Sequence, residues 1–391
     1  MSDSKLALHG GQPTMAMPHR KSTIGQEERI RVLKVIENGT LSGFRGGEQV
    51  RQFERAFANF VGAKYALATT SGTTALHTCV AALNLQPDDE VLVPAVTFVS
   101  TASVVMQEKA KVVFVDIDEN YCIEIDDLKS KITEHTRAII PVHLYGRAAN
   151  MDAIMGLAQE HNLTVIEDAC QAHGALYEGH RSGNLGTAGC FSFFETKNMT
   201  CGEGGMITTS DEAYYEQLCL RREHGSQRGV GTWYNYEVLG YNYNMTELQG
   251  AIGQAQLQKL DIMNQARIDN AKHYGMELKG LGLTLPTAAY DGSNVYHNYP
   301  ILLPDELATR RAFFVDAVRA EGVPIDIAYP CTLYQTELFK KAGVDGNCPR
   351  AEGITSRLFT LFTDAAIDEE VIANTAVAIK KVLRHMAMKN D

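Results

Sequence analysis

The run EQVRQFERAFANFV, residues 48–61, sets Val50, Phe53, Phe57 and Phe60 at helical spacing, and Gly62 follows where a helix can close. Beyond it, short apolar runs alternate with helical patterns. Candidate strands are EVLVPA (90–95), KVVFVDID (111–118), RAIIPVHLYG (137–146), LTVIEDA (163–169), CFSFF (190–194) and GMITTS (205–210). Helical segments fit between most of them, among them ALHTCVAALNL (75–85) and MDAIMGLAQEHN (151–162). Strands that are apolar nearly throughout and separated by helices predict an α/β fold, a mostly parallel sheet covered on both faces. Thr246 and Gln249 form a capping box at the start of the long helical run TELQGAIGQAQLQKL. Past about residue 265 the alternation loosens and charge density rises. The expected division is a large domain over 1–264 and a smaller α+β domain over 265–391, ending in the helix IANTAVAIKKVLRHM.

Bulk properties narrow this picture. A chain of 391 residues exceeds what one hydrophobic core usually serves, which agrees with two domains. The net charge of −11 argues against a broad electrostatic affinity for nucleic acid or anionic membrane. No stretch is long and apolar enough to span a bilayer, and the opening Met-Ser-Asp-Ser-Lys lacks an apolar signal region, so a cytoplasmic location is expected. Eight dispersed cysteines without a CxxC pair read as reduced, buried thiols. The histidines show no metal-ligand spacing, so no metal is expected.

Four features fall where a doubly wound sheet binds ligands, beyond the carboxyl ends of its strands. TTSGTTAL (69–76) is a small-residue turn leading into a helix, either a plain capped helix or a phosphate site built on Gly72 and Thr73. Asp168 closes an apolar strand, where a carboxylate is partly desolvated and needs a positive partner, a salt bridge or a cap. Gln171 and His173 follow it closely. Ser192 and Lys197 flank a strand end in FSFFETKNMTCGEGG (191–205). A lysine there is a solvated loop residue unless its surroundings lower its pKa enough for imine chemistry. Asn242, in GYNYNMTE (240–247), stands just ahead of the capped helix. Taken together, an anion cradle, a buried acid and a lysine are what pyridoxal 5′-phosphate requires. Its ring also calls for a stacking partner, and Phe98 in PAVTFVS is suitably placed.

The ordered set SGTTAL, VPAVTFVSTA, IEDACQAHGA, FSFFETKNMTCGEGGMITT and LGYNYNMTELQGAIGQAQL resembles the DegT/DnrJ/EryC1/StrS family, fold-type I pyridoxal-phosphate aminotransferases of nucleotide-linked keto sugars and, in some members, keto-cyclitols. The match runs from about residue 20 to the C-terminal helix. The resemblance implies a large domain with a mostly parallel, seven-stranded-type sheet and a smaller α+β C-terminal domain. It implies Lys197 as the imine-forming lysine and proton shuttle, with Asp168 facing the pyridine nitrogen. Gln171 would lie near the ring hydroxyl and Phe98 would stack on the ring. Gly72, Thr73 and Ser192 would hold the phosphate. Asn242 would reach in from the other subunit of a homodimer. Two positions depart from the pattern: Asn244 stands where many members have Arg, and Ala328 where many have His before Tyr329-Pro330.

The implied reaction is a ping-pong transfer of an amino group from glutamate or glutamine to a keto sugar, most simply a nucleotide-linked one. Arg221, Arg222 and Arg228 are candidates for its diphosphate. The opening LALHGGQP is similar to that of some cyclitol-directed members, which gives an inosose-type ketone as the alternative acceptor. A non-catalytic regulatory protein on the same fold would be expected to lose the lysine or the acid, and both are present.

Overall fold

A computed structural model describes residues 5–19, 21–43, 47–226, 235–289, 291–364 and 366–388. The apolar runs assemble into one sheet of seven strands: β1 (Tyr65–Thr69), β2 (Glu90–Pro94), β3 (Lys111–Val115), β4 (Thr136–Ile139), β5 (Thr164–Asp168), β6 (Ala188–Ser192) and β7 (Gly205–Thr209). Their spatial order is β1-β7-β6-β5-β4-β2-β3. From β6 to β3 every neighbouring pair is parallel, and β7 alone runs against both its neighbours.

Successive side chains on a strand face opposite ways, and the core divides accordingly. Val91, Val93, Ile166 and Ile207 join one buried cluster, which also holds Leu76, Cys79 and Val80 of α3 (Gly72–Ala82) and Val104 and Val105 of α4 (Ser100–Gln107). Their chain neighbours Leu92 and Val165 face the other side with Ile154 and Leu157 of α5 (Met151–His161). Met206 joins Phe53 and Phe57 of α2 (Glu48–Val61), as do Phe191 and Phe193. Both faces are thus covered, which is why the strands read as unbroken apolar runs rather than as alternation.

Two elements differ from expectation. The run 137–146 is strand only to Ile139, because Pro141 has no N–H to continue the ladder and the chain turns into a short 3₁₀ segment at Leu144–Gly146. β1 was not among the expected strands. Its YALAT lacks the β-branched run that marks the others, and it is held in place by antiparallel pairing with β7.

The capping box at Thr246 forms as read: Gln249 N donates to Thr246 Oγ1 at 3.3 Å, and Thr246 N donates to Gln249 Oε1 at 2.9 Å. It opens the long helix α7 (Glu247–Glu277), preceded in the chain by α6 (Glu212–Arg222). Leu260 packs with the phenylalanines of α2, whereas Ile268, Ala271 and Tyr274 join a separate cluster. That cluster is built on a three-stranded antiparallel sheet of β8 (Tyr299–Leu302), β9 (Ile325–Asp326) and β10 (Leu358–Leu361), in the order β8-β10-β9, with α8 (Arg311–Ala320) and α9 (Glu369–Met388) against it. Leu6 is buried in the same cluster, so the N-terminal segment lies with the small sheet rather than with the seven-stranded one. Among the described residues no helix is long and apolar enough to cross a membrane. All eight cysteines are free thiols, and five of them are buried.

Candidate functional site

β1 and β6 both run against β7, so β1, β2, β5 and β6 share one direction. Their last residues Thr69, Pro94, Asp168 and Ser192 therefore lie along one edge of the sheet. The 193–204 connection, which carries Lys197, turns back into β7 at that same edge. This is where an α/β sheet leaves room for a ligand.

α3 begins directly after β1. Ser71 Oγ accepts from Thr74 N at 3.1 Å and Thr74 Oγ1 accepts from Ser71 N at 2.9 Å. The N–H groups of Gly72 and Thr73, at the first turn, have no intrahelical acceptor and sit at the positive end of the helix dipole. A Cβ on Gly72 would stand 2.7 Å from Ser192 Cβ and 2.9 Å from Cys170 Sγ. Only glycine lets the helix start come this close to the ends of β5 and β6. Gly205 meets the same demand from the other side, since a Cβ there would collide with the Ser71 carbonyl. The hydroxyls of Thr73 and Ser100 bond at 2.6 Å, which ties α3 to the start of α4.

Asp168 is almost fully buried, and its carboxylate is oriented by two donors. Thr101 Oγ1 donates to Oδ2 at 2.7 Å, and Cys170 N donates to Oδ1 at 3.2 Å. With the Thr101 hydrogen committed there, the 2.9 Å contact between Thr97 and Thr101 hydroxyls has Thr97 as donor. The neighbouring Glu167 points to the other face, where it accepts from Gly183 N, Leu185 N and Gly186 N at 2.7 Å each and contacts His143 Nε2 at 2.8 Å. Ala149 N donates to His143 Nδ1 at 3.1 Å, so His143 carries its single proton on Nε2 and donates it to Glu167. β5 is thereby fixed on one face by Glu167 and presents Asp168 on the other.

Lys197 is half-buried. Burial lowers its pKa from the ordinary lysine value, while Cys170 and Asp168 partly oppose this. The next residue, Asn198, anchors its loop: Nδ2 donates to Asn264 Oδ1 at 2.9 Å and to Val295 O at 3.2 Å, and Oδ1 accepts from His297 Nδ1 at 3.1 Å. His297 and His173 are buried within range of the Lys197 charge. Burial first, and that charge second, push His173 down to about 3 and His297 well below its usual value. Both imidazoles are therefore neutral near pH 7. His173 is wholly buried and packs against Phe191 and Phe193.

Gln171 is buried between Tyr145 N, which donates to Oε1 at 3.0 Å, and Tyr329 Oη, 2.9 Å from Nε2. The Phe98 ring, by contrast, is 60% exposed just before α4. Ser192 Oγ accepts from Phe194 N at 3.4 Å. Asn242 is exposed ahead of α7, and its Oδ1 accepts from Asn244 Nδ2 at 3.0 Å. The structure thus gathers Gly72, Thr73, Asp168, Gln171, Ser192 and Lys197 at one edge, and leaves Asn242 on the surface of the chain.

Two of the arginine candidates are corrected. Arg221 is buried and bonds Leu239 O at 2.7 Å and Asn84 Oδ1. Arg222 is buried and bonds Glu54 Oε1 at 2.9 Å and Ala68 O at 3.0 Å. Both guanidiniums serve packing between α6 and its neighbours. Arg228 lies outside the described residues. Sequence reasoning passed over Thr101, Cys170 and Tyr329. No local pattern marks Thr101, because Thr97 lies in the bend ahead of α4 and the two hydroxyls meet only once that bend is folded.

Residues 22–380 match the DegT/DnrJ/EryC1/StrS aminotransferase family. Among curated relatives, a GDP-perosamine synthase of Caulobacter vibrioides is 39% identical over 84% of this chain and 91% of its own. A UDP-N-acetyl-3-dehydro-alpha-D-glucosamine 3-aminotransferase of Acidithiobacillus ferrooxidans is 39% identical over 86% of this chain and 89% of its own. Among solved structures, the aminotransferase PseC of Helicobacter pylori, involved in the biosynthesis of pseudoaminic acid, superposes with a TM-score of 0.88 at 25% identity, covering 95% of this chain and 100% of its own.

Proposed function

The chain belongs to the DegT/DnrJ/EryC1/StrS aminotransferase family, and from that premise we propose that it uses pyridoxal 5′-phosphate to move an amino group from glutamate or glutamine to a nucleotide-linked keto sugar. The observation that carries this reading is the meeting of Lys197, its pKa lowered by burial, with the oriented Asp168 carboxylate and the Gly72–Ser192 approach at one sheet edge. The residues fit the cofactor. The first turn of α3 has N–H groups free for a phosphate, Asp168 is held as an acceptor by Thr101, and Phe98 offers an exposed ring face.

When bound, pyridoxal phosphate supplies an aldehyde that captures amines and a ring that draws electrons from the substrate Cα. The chain supplies the rest. Gly72, Thr73 and Ser192 would hold the phosphate, and Asp168 would keep a proton on the pyridine nitrogen by Coulomb attraction. Gln171 would serve the ring hydroxyl and Phe98 would cover one face. Lys197, its amine more readily neutral than that of a solvated lysine, would take the proton from the donor Cα and deliver it to the cofactor carbon that had been the aldehyde, and would carry it the opposite way when the keto acceptor is aminated. The acceptor class is supported by relatives whose names specify GDP- and UDP-linked sugars. The reading includes a cytoplasmic homodimer, with Asn242 contributed across the subunit interface, and a division of the chain near residues 264/265. Ile30, Leu33, Ile36 and Leu41 around α1 (Gln26–Asn38) are 44%, 56%, 57% and 52% exposed, an apolar face that a second copy would cover.

The test is Lys197→Ala, assayed with glutamate or glutamine against a panel of nucleotide-linked keto sugars and inososes. A loss of turnover of at least about a thousandfold is expected. Unimpaired multiple turnover would remove Lys197 from the mechanism, and turnover with inososes alone would replace the acceptor.

A further inference from the structure

Tyr329 belongs to neither the crevice motifs nor the seven-stranded sheet, yet it touches the site. It follows β9 on a segment held from two directions. Arg311 Nη2 donates to Pro330 O at 3.1 Å on the small-sheet side, and Leu333 N donates to Ala95 O at 2.9 Å just past the end of β2. The bonds around Gln171 have only one consistent arrangement. A backbone N–H can only donate, so the Tyr145 N contact fixes the Gln171 oxygen on that side and turns Nε2 toward Tyr329. The phenol oxygen of Tyr329 is then the acceptor.

The Tyr145 side of this clamp is built with effort. Tyr145 adopts φ 57° and ψ 11°, a left-handed conformation unusual for a bulky side chain. Its backbone is pinned there by His297 N, which donates to Tyr145 O at 2.8 Å. Its buried ring stands edge-on to Tyr329, with centroids 6.0 Å apart and planes at 61°, and edge-on to Tyr121 at 5.4 Å and 89°. A strained backbone thus supplies one bond to Gln171, and a residue from beyond β9 supplies the other. Tyr329 also lies within electrostatic range of Asp168 and Cys170.

We propose that Tyr329 is a positioning residue through which the small-sheet region sets the orientation of Gln171, and so tunes the group that Gln171 faces. The inference rests on the reading of Gln171 as a cofactor contact. It ties the Gln171 amide to both sheets, so that loss of the Tyr329 contact would free the amide without touching the bonds of Asp168.

The experiment uses the full chain with pyridoxal phosphate and compares wild type, Tyr329→Phe, Gln171→Leu and the double variant. Two quantities are read: the affinity for pyridoxal phosphate, and the pH midpoint of the bound cofactor's visible absorbance. Tyr329→Phe is expected to weaken affinity about two- to tenfold, the worth of one hydrogen bond, and to move the pH midpoint. The double variant is expected to match Gln171→Leu alone, because the tyrosine acts through the glutamine. Additive effects, or a Tyr329→Phe protein with an unmoved midpoint, would overturn the proposal. A merely structural tyrosine would instead lower the melting temperature of the cofactor-free protein and leave the midpoint in place. Wild-type protein that takes up no pyridoxal phosphate would sink the cofactor reading and this inference together, whereas additivity in proteins that do bind it sinks this inference alone.

Discussion

At the scale of single residues, the site depends on how each polar group is held. Thr101 and the Cys170 N–H orient the Asp168 carboxylate and leave it lone pairs that, on the proposed function, would face a cationic ring nitrogen. Asp168→Asn keeps the shape and removes the charge. Its turnover is expected to fall about a hundredfold or more, the usual cost of removing one preorganised electrostatic contact. Thr101→Val removes only the orienting donor, and a fall of about tenfold is expected, in line with one hydrogen bond to a charged group. Steady-state kinetics on both variants check this, and equal losses would mean that the threonine does more than orient the acid. Lys197 and Asp168 could be singled out in the sequence only by their company, since a loop lysine and an acid closing an apolar strand are ordinary alone and suggest a site when an SGTT turn occurs in the same α/β chain. Thr101 and Tyr329 could not be, since a threonine in a small-residue helix and a tyrosine before proline are ordinary until the fold sets them beside Asp168 and Gln171.

Among the elements, the legible ones were those whose signal is local. The run 48–61 forms α2 with the bounds expected, and Gly62 closes it at φ 86°. Thr246 and Gln249 cap α7 as their spacing implies. β1 was missed because its pairing with β7 is a tertiary fact, and the N-terminal strap was missed because its acceptor lies some three hundred residues away. Glu321, wholly buried after α8, accepts from Ala7 N at 2.8 Å, Thr14 N at 3.0 Å, Thr14 Oγ1 at 2.8 Å and Lys381 Nζ at 2.9 Å. Burial pushes the carboxyl pKa up, but these bonds outweigh it and hold the group below the ordinary glutamate value. A lowered folded-state pKa means that this stabilisation is complete above the unfolded value of about 4.3 and is lost as pH falls through the folded one. Glu321→Ala leaves Lys381 and two backbone donors without their acceptor, and a destabilisation of about 3 kcal/mol is expected. Thermal melts between neutral and acid pH should show the gap between wild type and variant closing on the acid side. A gap constant with pH would mean that the strap is held by the burial of Leu6 rather than by the charge.

For the whole molecule, one chain gathers most of the site and leaves two things outstanding, an apolar face and an exposed asparagine. Ile30, Leu33 and Ile36 stand at three-residue steps along α1, and Leu41 extends the patch beyond its end. Single exposed apolar side chains are common on any protein, but a contiguous group on one helix marks a contact surface. Asn242 lies on the segment that leads into α7, and α1 packs against α7. Leu41 O accepts from Glu247 N at 2.9 Å, which brings the end of the patch to the start of α7, so a second copy seated there is expected to reach the asparagine as well. The pair Leu33→Glu and Ile36→Glu places two like charges on that face, and light scattering is expected to find twice the chain mass for wild type and the single chain mass for the variant. If Asn242 serves the partner's site, turnover per chain should fall with the dimer and recover in part at high protein concentration. Asn242→Ala should lower turnover while leaving the mass unchanged. Monomeric variants with full activity would assign Asn242 no part across the interface, and a dimer that survives both charges would move the contact off α1.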